Sequence, residues 1–234
     1  MKQKLKIGTI GYPVSQKLLF SHVDIIEITE TRHSVPKPAV AKKLRESAPG
    51  HISFSVQVPR FFYETPAPDT TLGGDPGGYG GFQLTTESQR LFDKLNRFAD
   101  GLDAAQLVLL TPSEFTPTEA NRNALEAFVN AMPIGGRTLV WQPSGPWTDR
   151  QAAQLAKKLG MILATDPLRD EAPAGKAAYF RLGPFAAMGS RVGLYDLERL
   201  AAAAAPFEET AIVFETDRAL DDVRNLKQVV EEMD

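Results

Sequence analysis

The chain has 234 residues, of which 43% are hydrophobic and 24% are charged, and its formal net charge is −3. This balance is typical of a globular protein with a buried core, and the lack of a basic tract argues against nucleic-acid binding. The sequence has no cysteine, which excludes disulfides, thiol nucleophiles and thiolate metal sites. No signal peptide and no stretch of about 20 apolar residues is found, so we expect a cytoplasmic protein without membrane contact.

Short β-like runs alternate with helical patterns along the chain. Alternating or continuous apolar runs bounded by turn residues predict strands, and apolar residues at helical spacing predict helices. The predicted strands are 5–10, 24–29, 52–58, 106–110, 138–142, 161–165, 177–182 and 211–216. The predicted helices are 37–47, 86–102, 118–132, 149–159, 194–204 and 217–233. The helices after the first and sixth strands are predicted to be short or absent.

This alternation predicts the fold class. Strands that alternate with helices form βαβ units and a parallel sheet, and eight such units in one chain favour a closed barrel. We therefore predict a single (β/α)8 TIM-barrel-like domain over residues 1–234. A flavodoxin-like or Rossmann sheet is the alternative, but the glycines at 8 and 11 lack the third glycine of a dinucleotide-binding fingerprint.

A Gly/Pro-rich segment, residues 65–81, follows the third predicted strand. In a barrel this position lies on the C-terminal face, where barrel enzymes hold their active sites. Glycine and proline at this density favour irregular backbone. Two interpretations stay open for the segment, namely a mobile lid or an unstructured insertion.

The strands show polar residues at every second position. Side chains alternate between the two faces of a strand, and helices cover the outside of a barrel, so the apolar set faces outward. The polar side chains predicted to face the interior are Glu27, Gln57, Arg181 and Glu215, with Gln142 and Asp166 at the ends of the fifth and sixth strands. Most of these residues lie late in their strands, toward the C-terminal face.

Arg181 is predicted to pair with Asp166 or Glu215, because those two carboxylates end the neighbouring strands. A purely structural ion pair is one interpretation of this group. Three carboxylates, Glu27, Asp166 and Glu215, exceed what one arginine needs, and they are candidate general acids or bases. The same three side chains could hold Mg²⁺ as an alternative, and Glu27 with Glu215 could form a glycosidase pair. No other metal and no cofactor is expected.

Several short motifs occur in an order that points to one family. Residues 7–12 read IGTIGY, 25–29 read IIEIT, 54–60 read FSVQVPR, and 179–182 read YFRL. In this order they resemble the motifs of the domain-of-unknown-function 72 (YecE-like) family. The resemblance implies a TIM-barrel-like fold and adds Arg60, which ends the third-strand motif, to the candidate ligand-binding residues. Gln57 stands where the family has lysine, Gly183 where it has histidine, and Glu215 where it has asparagine.

The expected function is that of an uncharacterised YecE-like barrel protein that binds a small polar ligand, sugar-like or phosphate-like, at the C-terminal barrel mouth. The expected ligand-binding residues are Glu27, Gln57, Arg60, Gln142, Asp166, Arg181 and Glu215. One alternative is a hydrolase or lyase that uses the inward carboxylates. The other is a non-catalytic barrel that serves as a protein-interaction module.

Overall fold

The computed structural model describes residues 4–67, 70, 72–183 and 192–233. The strands are β1 (Lys4–Ile10), β2 (Ile25–Ile28), β3 (Ser53–Gln57), β4 (Gln106–Leu110), β5 (Thr138–Gln142), β6 (Ile162–Thr165), β7 (Ala177–Leu182) and β8 (Glu209–Phe214). The α-helices are α1 (Gln16–Phe20), α2 (Pro38–Ser47), α3 (Thr86–Leu102), α4 (Glu119–Ala131), α5 (Asp149–Lys158), α6 (Leu194–Ala204) and α7 (Ala219–Met233). The strands close into a barrel in the order β1 to β8, which confirms the predicted (β/α)8 fold.

Local signals in the sequence set several element boundaries. Helix α3 begins after Thr85 and helix α5 after Thr148, and each threonine forms a capping box with the residue three positions later. Gly160, with φ of 66°, follows the end of α5, where a left-handed backbone favours glycine. The helix after β1 has only five residues, and the described chain between β6 and β7 contains none, as predicted.

Strand β8 differs from its predicted bounds, since it covers residues 209–214 rather than 211–216. Glu209 pairs with Lys4 of β1 and with Ala177 of β7. The sequence pattern missed this start because two charged residues precede the apolar run. The shift places Glu215 just beyond the strand rather than within it.

Contacts group the chain into two compact units. The first comprises Met1–Ile28, Ala48–Ser55 and Ile162–Asp234, and the second comprises Thr29–Ser47 and Val56–Met161. No helix among the described residues has both the length and the apolar character that a bilayer crossing requires.

The first unit contains the parallel pairings of β6 with β7, β7 with β8, β8 with β1, and β1 with β2. Gly8 allows the last of these, because a Cβ at Gly8 would lie 1.7 Å from the carbonyl oxygen of Ile25. On the outward face Phe180 is fully buried and packs edge-on against Phe207, which precedes β8. At the N-terminal end of the strands Lys6 contacts Ser53 on the inward face.

The second unit contains the pairing of β4 with β5 and a large aromatic cluster. The cluster's ring pairs have centroid distances of 5.0 to 6.0 Å. Its members are Phe62, Tyr63, Phe82, Phe92, Phe115, Phe128, Trp141 and Trp147. Phe62 is 1% exposed and belongs to the core, whereas Tyr63 and Trp147 are half-buried at the edge of the cluster.

The end of the Gly/Pro-rich segment packs against other residues of the second unit. Tyr79 is 5% exposed, and its hydroxyl donates a 2.8 Å hydrogen bond to the carbonyl of Gly73. The backbone N–H groups of Gly80 and Phe82 donate to the carbonyls of Phe61 and Phe62. Buried side chains and backbone hydrogen bonds thus hold residues 78–82, whereas residues 73–77 are exposed, and the lid and the unstructured insertion both stay predictions for the segment 65–81.

Candidate functional site

The central feature of the first unit is a buried ion pair between Glu27 on β2 and Arg181 on β7. Glu27 is 0% exposed and Arg181 is 6% exposed. Arg181 Nε lies 3.1 and 3.2 Å from the two carboxylate oxygens of Glu27, and Nη2 lies 3.0 Å from Oε1. Charge-assisted hydrogen bonds of this kind orient both groups, which compensates the cost of removing them from water.

Tyr179 and Ser55 complete the hydrogen bonding of this pair. The Tyr179 hydroxyl donates to Glu27 Oε2 at 2.8 Å and lies 2.8 Å from the Ser55 hydroxyl. Burial raises the pKa of Tyr179 well above its usual range, and the charge of Glu27 raises it further, so the phenol stays protonated. Burial alone would lower the pKa of Arg181, but Glu27 more than offsets it and the pKa is raised.

The register of the strands explains why these groups meet. Two strands, β8 and β1, lie between β7 and β2 in the barrel order. Arg181 pairs with Val213, and Val213 pairs with Gly8. Gly8 in turn pairs with Ile25, so Glu27, two residues further along β2, lies on the same inward face as Arg181.

Glu215 provides the exposed end of the cluster. Its carboxylate oxygen lies 3.5 Å from Arg181 Nη2, and its side chain is 42% exposed. The Glu215 backbone N–H donates to the carbonyl of Leu182 at 2.7 Å. Gly183, with φ of 100°, permits this approach, because a Cβ there would lie 2.5 Å from the carbonyl oxygen of Glu215. One arginine therefore connects a fully buried carboxylate with a half-exposed one.

Asp166 does not take the role that its position in the sequence predicted. It follows Thr165, which pairs with Phe180, so it is adjacent in sequence register to Arg181. The ion pair that Asp166 forms is instead with Arg169, at 3.4 Å, and it accepts a hydrogen bond from the Leu168 backbone N–H at 3.1 Å. The prediction that Arg181 pairs with Asp166 or Glu215 is therefore confirmed for Glu215, and Asp166 pairs with Arg169 instead.

The pKa of Asp166 is nevertheless perturbed. Burial raises it, and this effect exceeds the opposing effects of the Leu168 N–H and of Arg169. A carboxyl group with a raised pKa at the C-terminal end of a barrel strand is suited to proton transfer. Asp166 is therefore the candidate general acid or base of the first unit.

Three predicted site residues lie in the second unit. Gln57 is 3% exposed at the end of β3, and its carbonyl accepts a 2.6 Å hydrogen bond from the Thr31 hydroxyl. Arg60 lies over the ring of Phe61 and pairs with Glu64 at 3.6 Å. Gln142 ends β5 and is partly exposed.

The arrangement of the carboxylates bears on metal binding. Among residues 4–67, 70, 72–183 and 192–233, no group of three or more His, Asp or Glu side chains is placed to hold a metal ion. Both Glu27 oxygens accept hydrogen bonds from Arg181, so this carboxylate has little capacity left to coordinate a metal cation. A magnesium site at Glu27, Asp166 and Glu215 does not fit this geometry.

The sequence pattern predicted the charged side chains of this cluster but not the two hydroxyl groups that hydrogen-bond within it. Period-two alternation placed Glu27, Arg181, Tyr179 and Ser55 on the inward face, and their mutual hydrogen bonds confirm that orientation. Tyr179 and Ser55 were not among the predicted site residues. Their position on the same inward face as Arg181 was the signal that could have identified them.

Comparison with known proteins gives a fold relationship. No protein-family model and no curated protein matches the sequence. Two crystal structures of a DUF72 family protein from Enterococcus faecalis V583 align with TM-scores of 0.72 and 0.71 at 10% and 12% identity. These alignments cover 97% and 99% of this chain and 95% and 98% of those chains.

A DUF72 family protein from Thermotoga maritima MSB8 aligns with a TM-score of 0.61 at 14% identity, over 99% of both chains. The resemblance to the domain-of-unknown-function 72 family is thus confirmed at the level of the fold.

Proposed function

From this DUF72-like fold and its buried ion pair, we propose that the protein is a divergent YecE-like barrel that binds a small sugar-like ligand beside Arg181 and Glu215. The observation that carries the proposal is the position of the Arg181 guanidinium between two carboxylates of different exposure. Glu27, which accepts a hydrogen bond from Tyr179, orients Arg181 from the buried side, so the orientation of Arg181 is set before a ligand binds. Preorganised polar groups at the ends of barrel strands are the usual basis of a binding site on this fold.

The charge of the cluster favours a ligand with hydroxyl groups over one with a phosphate. Glu27, Asp166 and Glu215 bring three carboxylates to the strand ends of the first unit, and Arg181 is balanced by Glu27. A phosphate beside Arg181 would meet the negative charge of Glu215, which disfavours its binding. Sugar hydroxyls instead donate to a carboxylate and accept from a guanidinium.

Glu215→Gln tests this proposal, because it removes the charge and half of the acceptor capacity at the exposed end of the cluster. Glu209→Gln is the matched control, since Glu209 begins the same strand, is 46% exposed and pairs only loosely with Lys6 at 3.8 Å. Binding of a panel of neutral monosaccharides and their phosphate esters is measured by calorimetry and by thermal shift.

We expect at least one neutral sugar to bind the wild type and to lose roughly tenfold in affinity with Glu215→Gln, as for one charge-assisted hydrogen bond. Glu209→Gln should bind as the wild type does. Equal losses in both variants, or binding of the phosphate esters alone, would contradict the proposal. If no sugar binds, the proposal is wrong, and the alternative of a non-catalytic protein-interaction module is left.

A second candidate function, hydrolysis or elimination on the same class of ligand, is favoured by the raised pKa of Asp166. A carboxyl that stays protonated at higher pH can donate a proton to a leaving group. Turnover of nitrophenyl glycosides is the assay, and Asp166→Asn should abolish turnover while sugar binding persists. Turnover that is unchanged in Asp166→Asn would exclude this role.

A further inference from the structure

A cleft of about 360 Å³ lies in the second unit, between the Gly/Pro-rich segment and helix α3. Leu72, Gly73 and Tyr79 line one side of it, and Leu91 lines the helix side. This volume falls within the range of about 300 to 1,000 Å³ that small-molecule sites occupy. The cleft is separate from the carboxylate cluster described above, because none of that cluster's residues lines it.

The helix side of the cleft carries a row of three cations. Arg90, Lys94 and Arg97 line it, and their spacing of four and three residues places them on one face of α3. Within the described chain none of the three takes part in an ion pair or a side-chain hydrogen bond. Like charges at this spacing destabilise a helix by about 0.2 to 0.5 kcal/mol per pair, and Lys94 has no acidic residue three or four positions away, so helix stability does not account for Lys94.

Among the described residues that line the cleft, Asp93 alone carries a carboxylate, and the carboxylate of Glu87 lies beside the wall at Gly74. The three cations and these two carboxylates leave a net charge of +1, although the chain as a whole carries −3. The excess of positive charge is confined to a concave surface and does not extend as a basic tract along the sequence. An anion of small size fits this distribution better than a nucleic acid, which requires a longer track of cations.

The opposite wall of the cleft is fixed by its own hydrogen bonds. The Tyr79 hydroxyl donates to the Gly73 carbonyl, and the Thr85 hydroxyl donates to the Gly78 carbonyl at 2.6 Å. Burial and the nearby Glu87 raise the pKa of Tyr79, while Arg90 lowers it, which places the Arg90 charge close to the phenol. This wall is thus preorganised, and its side chains need little reordering when a ligand binds.

We propose that this cleft is a binding site for the phosphate group of a small molecule. Arg90, Lys94 and Arg97 neutralise the phosphate, and the apolar surfaces of Leu72 and Leu91 contact the rest of the ligand. Arginine is suited to bidentate phosphate contacts and lysine to a point charge. The proposal is independent of sugar binding at Arg181 and Glu215, since it rests on other residues and on a different ligand chemistry.

The test uses inorganic phosphate as the probe, at constant ionic strength against chloride, with amide chemical shifts as the readout. The variant is Lys94→Gln/Arg97→Gln, and both side chains are exposed, so the fold should persist. Lys157→Gln on α5 is the matched control, because this lysine is exposed and has no ion pair within the described chain. Pyrophosphate and a short single-stranded DNA serve as further probes.

We expect saturable shifts confined to residues 72–79 and 90–97, tighter binding of pyrophosphate, and a loss of about tenfold or more in the double variant. Lys157→Gln should match the wild type. Shifts that do not saturate, or that the double variant leaves unchanged, would mean an adventitious ion only. Binding of the DNA without binding of either phosphate probe would overturn the proposal in favour of a nucleic-acid surface.

Discussion

Removal of Arg181 is expected to destabilise the protein strongly. Arg181→Met leaves the fully buried carboxylate of Glu27 without the guanidinium that pairs with it, while the hydrogen bond from the Tyr179 hydroxyl remains. Breaking one side of such a buried pair costs about 3 to 5 kcal/mol. For a chain of this size that loss corresponds to a decrease in melting temperature of about 6 to 20 °C.

The same reasoning predicts the effect of removing both charges. Glu27→Met/Arg181→Met removes both charges of this buried pair, and the Tyr179 hydroxyl keeps Ser55 as its partner. The double variant should therefore be more stable than either single variant, as when other buried pairs are replaced by apolar side chains. The control is Arg218→Met, since the ion pair of Arg218 and Asp221 has side chains that are 53% and 39% exposed. That variant should cost less than about 1 kcal/mol.

Urea denaturation followed by circular dichroism and by tryptophan fluorescence measures these changes. Both tryptophans, Trp141 and Trp147, lie in the second unit, whereas the substitutions lie in the first. Coincident transitions would show that the two units unfold together, as two-state unfolding requires. A loss below about 1 kcal/mol for Arg181→Met would refute the buried pair. A large loss would show that Arg181 stabilises the fold, so its role beside Glu215 in ligand binding is tested with Glu215→Gln rather than by removing Arg181.

Two further predictions concern the Gly/Pro-rich segment and the pH dependence of stability. Tyr79→Phe removes the hydrogen bond to Gly73 and should lower the free energy of unfolding by about 1 kcal/mol. Limited proteolysis should therefore cut the variant within residues 72–81 faster than it cuts the wild type. An unchanged rate of cleavage would mean that this hydrogen bond does not hold the segment. Asp166 has a raised pKa when folded, so the folded state binds more protons than the unfolded state above about pH 4, the ordinary range of aspartate. Stability should therefore fall as pH rises through that window, and Asp166→Asn should reduce the slope in urea titrations at several pH values; an identical slope would contradict the raised pKa.

The sequence by itself determined the order of strands and helices. Apolar periodicity and capping residues are local properties, and Thr85 and Thr148 signal helix starts without any knowledge of the fold. The bounds of β4, β5 and β7 agree with the prediction to the residue. The inward orientation of Glu27 and Arg181 also follows from the sequence, because side chains on a strand alternate with a fixed period of two.

Only the tertiary structure decided which of these side chains meet. The order of the strand ends left Asp166 and Glu215 as equal candidates for pairing with Arg181, and in the structure Glu215 pairs with Arg181 whereas Asp166 pairs with Arg169. Arg181 on β7 reaches Glu27 on β2 across two intervening strands, and this contact depends on the closure and register of the barrel. The packing of residues 78–82 was likewise unpredictable, because glycine content reports backbone freedom but not the buried rings that remove it. Periodicity thus specifies which face a residue occupies, whereas contacts across the barrel depend on distances that the sequence does not encode locally.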